Sequence, residues 1–364
     1  MSVQQKTSHE QWIDLVKGVA ILIVILNHAQ IQIPYISFYG GMFFVPVFFV
    51  LSGYTYKTPS SNQGSSQMNS MGKIILQKAK RLLVPYFSVN AVLLLIYGIK
   101  SMGSSQAASK GVFYMLKMPL IGILYGRNQM FINQDDPVAL LTIWNSPTWF
   151  LPALFLTIVV FEFLWRVVKK DDRKLLVIVL ILCILAVLYR LNANLLLPMS
   201  LDSIPFYLLL FVFGKIIRDY DVFEWMNRHL MVYAGLFILF IVLANWNQSA
   251  NFSIAEYGKF IYIAVFNAMF SSFAMMDFCR WIEKGVKGKM FSGCLKGIEK
   301  LGQESLSLMC WHFFLWSGLS LYLPQVVYFQ ERLGSIVSVV LTILIILTLA
   351  SLKEFVVRRW RHAK

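Results

Sequence analysis

The sequence predicts an all-α fold: a polytopic membrane helix bundle of about ten transmembrane helices, with both termini cytoplasmic. Three observations predict it. Hydrophobic residues make up 58% of the 364 and charged residues 14%, against about 25% charged in a soluble domain. The apolar residues gather in runs near the ~20 that cross a hydrocarbon core. The Lys and Arg residues, finally, divide unevenly between alternate connections, as topology demands.

In chain order the expected spans are 13–33, 39–56, 82–99, 148–168, 174–190, 203–217, 230–246, 257–278, 302–322 and 333–352. The first run is followed at once by the second, so it reads as a retained helix and not as a cleaved signal peptide. The third follows a basic flank, Lys78, Lys80 and Arg81. The sixth is short. Residues 57–81 form an expected cytoplasmic loop, and 100–147 a long outer loop. The apolar piece Val112 to Tyr125 inside that loop is broken by Lys117, Pro119 and Gly122. It reads as a re-entrant or interfacial segment, with an eleventh span as the alternative.

Ten spans place both termini on one side. The segments on that side (the N-terminus through Lys17, then 57–81, 166–174, 215–228, 280–300 and 353–364) hold 26 of the 33 Lys and Arg residues. The opposite set is Lys100, Lys110, Lys117, Arg127, Arg190, Lys259 and Arg332. The richer side is the cytoplasmic one. The net charge of +15 therefore points to topology and not to nucleic acid. No polar stretch is long enough for a separate soluble domain, so residues 1–364 read as a single membrane domain. Cys183, Cys279, Cys294 and Cys310 show no CxxC spacing and read as reduced thiols. No P-loop, GxGxxG or HExxH pattern occurs, so nothing calls for a nucleotide or a metal.

Ionisable groups inside spans are costly and mark candidate sites. The first span, WIDLVKGVAILIVILNH, carries Asp14, Lys17, Asn27 and His28. Lys17 and His28 are eleven residues apart, which puts them within about 20° on one helix face and separates them by about 16 Å along the axis. Asp14 shares that face and is spaced to pair with Lys17. Alternatively, Lys17 is a snorkelling interfacial anchor and His28 an interhelical hydrogen-bonding group. The ninth span runs in the same direction and carries His312, about 18 Å above Lys300. Both histidines thus fall at similar depth, where one cavity could hold them; packing beside Trp311 is the plainer reading of His312. Lys80 and Arg81 suit ordinary cytoplasmic flanking and would equally suit incoming phosphates. Trp144, Pro147, Trp149 and Phe150 lie at the outer interface, where aromatic belts are usual and where sugar rings also stack.

Five segments then occur in a telling order: Lys17-x10-His28, FFVLSGY at Phe48 to Tyr54, KRLLVPY at Lys80 to Tyr86, WFLPALF at Trp149 to Phe155, and LGQESLSLMCWH at Leu301 to His312. Over nearly its whole length the chain resembles acyltransferase family 3, in particular its fucose 4-O-acetylase-like members. The resemblance implies a stand-alone membrane O-acyltransferase of the bacterial plasma membrane. It would move an acyl group, acetyl being the expected one, from cytoplasmic acyl-CoA to a hydroxyl of a glycan or lipid-linked sugar. The family's basic-x10-His motif falls on Lys17 and His28. Arginine is commoner at the first position, and lysine lacks its fork of donors.

Under that resemblance His28 is the catalytic base, because an imidazole titrates near neutrality and both accepts and returns a proton. Lys17, Lys80 and Arg81 would hold the anionic head of the donor, and Asp14, Trp149 and His312 would support or orient. Direct attack by the sugar hydroxyl is the preferred route, with an acyl-histidine intermediate as the covalent alternative. A transporter or flippase of a lipid-linked sugar, using the histidines as a proton relay, is the competing class. No pair of Gly/Pro-interrupted segments in matching halves supports it.

Overall fold

The computed structural model describes residues 10–29, 31, 33–56, 67–102, 110–131, 145–248, 250–285, 289–322 and 331–362. Residues 57–66 of the expected cytoplasmic loop lie outside the described residues, as do 103–109 and 132–144 of the expected outer loop, Trp144 among them. No strand occurs among the described residues; the isolated pairings of Phe131 with Leu195 and Asn251 with Glu256 extend no further.

The helices are α1 (Gln11–His28), α2 (Ile36–Gly40), α3 (Pro46–Tyr54), α4 (Gln67–Ser101), α5 (Val112–Tyr125), α6 (Phe150–Val167), α7 (Asp172–Asn192), α8 (Ile204–Asp219), α9 (Val222–Arg228), α10 (Leu230–Asn247), α11 (Ile261–Gly285), α12 (Lys289–Gln303), α13 (Ser305–Tyr322) and α14 (Glu331–His362). Short 3-10 turns, Ser146–Trp149 and Pro198–Ser200, precede α6 and α8. Among the described residues seven helices are long and apolar enough to cross a membrane: Gln11–His28, Met71–Ile99, Ser146–Val167, Asp172–Asn192, Pro198–Asp219, Leu230–Asn247 and Ile261–Gly285. Each overlaps one of the ten expected spans. Shorter apolar helical stretches, Ser305–Leu315 and Ile336–Leu352, fall on the ninth and tenth.

The second expected span, 39–56, is not one helix. It divides into α2 and α3 across residues 41–45, between Gly40-Gly41 and Pro46. Glycine is a weak helix former, and proline lacks the N–H that would continue the ladder. The third span belongs to a longer helix that begins at Gln67, so the basic flank of Lys78, Lys80 and Arg81 is helical. Val112 to Tyr125 is a helix of 14 residues with Pro119 inside it, too short to count among the seven.

By its contacts the chain divides into two compact units, Met1–Val47 with Phe270–Lys364, and Phe48–Met269. In the first, α1 packs on α12 and α13, and α13 on α14. The α1–α12 crossing is backbone against backbone. A Cβ on Gly18 would fall 2.0 Å from the Ile298 carbonyl oxygen, and one on Gly302 1.8 Å from that of Asp14. Only glycine fits at either point, as small-residue packing in membranes exploits.

In the second unit α4 packs on α5 and α6, and α8 on α6 and α7. Gly53 of α3 and Gly214 of α8 give a second close crossing: a Cβ on either would lie within 2.0 Å of the other helix's backbone oxygen, at Phe211 and Val50. Aromatic rings fill this core. Phe49 stacks on Tyr207 at 4.5 Å, and Phe161 meets Phe211 at 4.6 Å. Polar side chains tie the helices where hydrocarbon offers no partner. The buried Tyr86 hydroxyl donates to the Ile123 carbonyl at 2.5 Å, and the Asn90 amide donates to Thr148 Oγ1 at 3.2 Å. At the start of α7, Asp171 caps the helix by accepting from the Arg173 and Lys174 amides. The Lys174 amide bond in particular holds this carboxyl below the usual aspartate range.

Candidate functional site

In the first unit α1 carries an ion pair at its start and an imidazole at its end. The Lys17 ammonium lies 3.2 Å from Asp14 Oδ1, one turn apart on the helix. Asp14 is 2% exposed, while the lysine side chain retains 27%. The buried carboxylate thus holds the ammonium itself, on a lysine side chain that keeps part of its surface exposed. Three turns further on, His28 is half-buried, and its ring lies 5.4 Å from that of His312 on α13 and 5.3 Å from Phe313. The same depth read from two separate segments becomes a direct meeting of two imidazoles.

His312 is fully buried. Its Nδ1 lies 2.6 Å from the Leu308 carbonyl oxygen. A carbonyl only accepts, so Nδ1 carries the proton and donates it there. In the neutral ring this leaves the lone pair on Nε2, which is buried with no hydrogen-bond partner among the described residues. A backbone bond of this kind fixes both the tautomer and the orientation of an imidazole. A fixed, acceptor-bearing ring beside a half-buried one is an arrangement suited to proton transfer. Among the described residues no three His, Cys, Asp or Glu side chains gather as a metal would require.

The other expected site residues belong to the second unit. Lys80 and Arg81 are exposed on α4, free to meet an anion. Trp149 is 3% exposed, packed at 6.0 Å against the Tyr207 ring and edge-on to Phe150. In this arrangement the indole is a core residue and presents no face on which a sugar could stack.

Two charged networks in the second unit were not singled out as such from the sequence. At the end where α6 stops and α7 starts, the buried Lys215 ammonium bridges Asp172 (2.7 Å) and Asp219 (2.6 Å) and lies 4.2 Å over the Trp165 ring. Nearby Glu162 accepts a short hydrogen bond from the Tyr56 hydroxyl and lies 3.4 Å from the Arg166 Nε. At the opposite end of α7, Arg127 and Arg190 share one carboxylate, Asp202. Arg127 is completely buried, and Asp202 accepts in addition from the Leu197 amide and the Ser203 hydroxyl. The available signal was Asp202 itself, an acidic residue just ahead of an apolar run. Its partners lie 75 and 12 residues away, a pairing that spacing does not reveal.

The described residues are helical, with seven helices of membrane-spanning length, and two of the helices bring a pair of imidazoles together: the class is a polytopic membrane protein. The chain belongs to acyltransferase family 3, whose acyltransferase-domain model matches residues 10–352. No curated protein and no solved structure matches it.

Proposed function

We propose that this membrane acyltransferase is an O-acetyltransferase of the bacterial plasma membrane, with cytoplasmic acetyl-CoA as donor and a cell-surface or lipid-linked sugar as acceptor. The observation that carries the reading is the meeting of His28 with His312, on a helix whose Lys17-x10-His28 pattern matches the family's motif. His28 takes the proton of the sugar hydroxyl as that oxygen attacks the thioester carbonyl. The C–S bond then breaks, and the imidazolium returns the proton to the leaving thiolate. His312, held by Leu308, positions His28 and supports its proton-accepting form. Lys17 on α1 and, separately, Lys80 and Arg81 on α4 are assigned to the phosphates of the donor from their cytoplasmic places in the sequence. Mass spectrometry of surface glycans with and without the gene tests the reading: O-acetyl groups present only with the gene support it, and identical glycans overturn it.

The head-group assignment has its own signature. Contacts to a bound head group act in ground and transition states alike, so neutralising Lys17, Lys80 and Arg81 should raise the KM for acetyl-CoA more than it lowers kcat. An unchanged KM in folded protein would return the three to topology anchors.

The ten-span arrangement with cytoplasmic termini belongs to the same proposal, supported by the 26-to-7 division of basic residues. All four cysteines are free, and Cys294 is exposed while Cys183, Cys279 and Cys310 are buried. In intact cells Cys294 should resist a membrane-impermeant thiol reagent and react after permeabilisation. A cysteine introduced by Gln248→Cys should react in intact cells. Labelling of Cys294 from outside would overturn the topology.

A further inference from the structure

The second unit contains a half-open cavity of about 640 Å³ at the end of α7 remote from Asp172. Val187, Arg190 and Leu191 line one side, and Glu256, Lys259 and Tyr262, from the connection between α10 and α11 and the start of α11, line the other. The connection is firmly held. The fully buried Asn247 donates to the Tyr257 carbonyl at 2.8 Å and accepts from the Phe260 amide at 2.7 Å. Glu256 and Asn251 exchange two backbone hydrogen bonds. The wall of the cavity is therefore a built feature.

Its charge is unbalanced. Arg190 is anchored at 3.3 Å to Asp202 and at 2.7 Å to the Ala255 carbonyl, with its guanidinium 5.1 Å over the Tyr257 ring. Arg127 holds the other oxygen of Asp202. Lys259 is exposed, 5.7 Å over the Trp246 ring, and forms no ion pair with a described carboxylate. Against these three cations stand Asp202 and the exposed Glu256, which leaves one positive charge in excess. A cation in excess at a membrane-protein surface favours an anionic headgroup. The apolar side is the broadly exposed surface of α7, on which Ile184, Leu188 and Leu191, spaced i, i+4 and i+7, lead up to the cavity mouth.

A cationic cavity at a helix end, continuous with an apolar stripe along the same membrane-length helix, fits an amphiphile with an anionic head. We propose that it binds the phosphate of a lipid headgroup, with the lipid chain lying along Ile184, Leu188 and Leu191. A polyprenyl phosphate carrier and an anionic phospholipid share this chemistry. The identification of the lipid as the acceptor's carrier rests on the acyl-transfer reading above; the phosphate site does not.

The test is lipid binding to the purified full-length chain in detergent, read by native mass spectrometry without acyl-CoA. The probes are a polyprenyl monophosphate, phosphatidylglycerol, the free prenol and inorganic phosphate. Both phosphate lipids should bind, and the prenol and inorganic phosphate should bind far more weakly. Lys259→Gln should weaken polyprenyl phosphate by about five-fold, the contribution of one interfacial charge. Glu256→Gln should tighten it by about the same factor, an opposite change that damage to the fold would not produce. His28→Ala should leave binding unaltered. Preference for the polyprenyl phosphate identifies the carrier, and equal binding identifies a general phosphate-headgroup site; both uphold the proposal. Equal retention of the prenol, equal affinity for inorganic phosphate, or indifference to both charge variants overturns it. Such a failure alongside intact acetyl transfer would leave the catalytic reading standing.

Discussion

His28→Gln protein should insert and accumulate as the unsubstituted chain does while losing acetyl transfer by about 10²- to 10⁴-fold, the loss typical of a missing general base. Glutamine keeps hydrogen-bonding capacity next to His312 but takes no proton, so it separates base from interhelical tether. If His28 only bridged helices, the glutamine variant would stay active and His28→Ala would lower protein levels. A half-buried ring that meets the rings of His312 and Phe313 is not a packing keystone, so both variants should be well expressed and nearly inactive. His312→Ala should cause a smaller loss of kcat and shift its pH profile, the signature expected of a residue that works through His28. A merely structural residue would leave the profile in place.

Asp202→Ala should produce the largest loss of stability. Asp202 receives Arg127, Arg190, the Leu197 amide and the Ser203 hydroxyl, and both it and Arg127 are buried. Removing one partner of a buried ion pair costs about 3–5 kcal/mol, because the remaining charge is left without compensation. Here two guanidiniums lose one carboxylate. The thermal midpoint of the purified protein in detergent should fall steeply, and its level in the membrane with it. Asp202→Asn keeps the shape and part of the hydrogen bonding and should fall less. Replacing Arg127 and Asp202 together by apolar residues should be milder than Asp202→Ala, since no counter-charge is then stranded between that pair. An Asp202→Ala protein with an unchanged midpoint would remove the network from the account of stability.

The membrane character was legible because hydrocarbon requires long apolar runs and leaves no room for ambiguity about period. Seven expected spans coincide with membrane-length helices, and the division of 39–56 was foreshadowed by Gly40, Gly41 and Pro46. The candidate site was legible in part. Depth follows from rise per residue, so Lys17, His28 and His312 could be placed along the membrane normal, but nothing in a one-dimensional spacing brings two helices side by side. The roles of the other motif residues were hidden for a related reason. Gly53 and Gly302 let backbones touch, Tyr86 donates to a carbonyl 37 residues away, and Trp149 lies in an aromatic core. Much of the patterned sequence that marks the family thus serves packing. The Arg127–Asp202–Arg190 cluster was illegible because its members come from two connections and a helix end, where no period constrains the partners.

The most direct measurement supplies isotopically labelled acetyl-CoA to the cytoplasmic face of membrane vesicles that contain the chain, and follows the label. Base-labile label on glycan or lipid-linked sugar, absent from vesicles without the chain and from those with His28→Gln, is the predicted result. Equal label in all three, or transfer sustained by well-inserted His28→Gln protein, would contradict the assignment of acetyl transfer to His28.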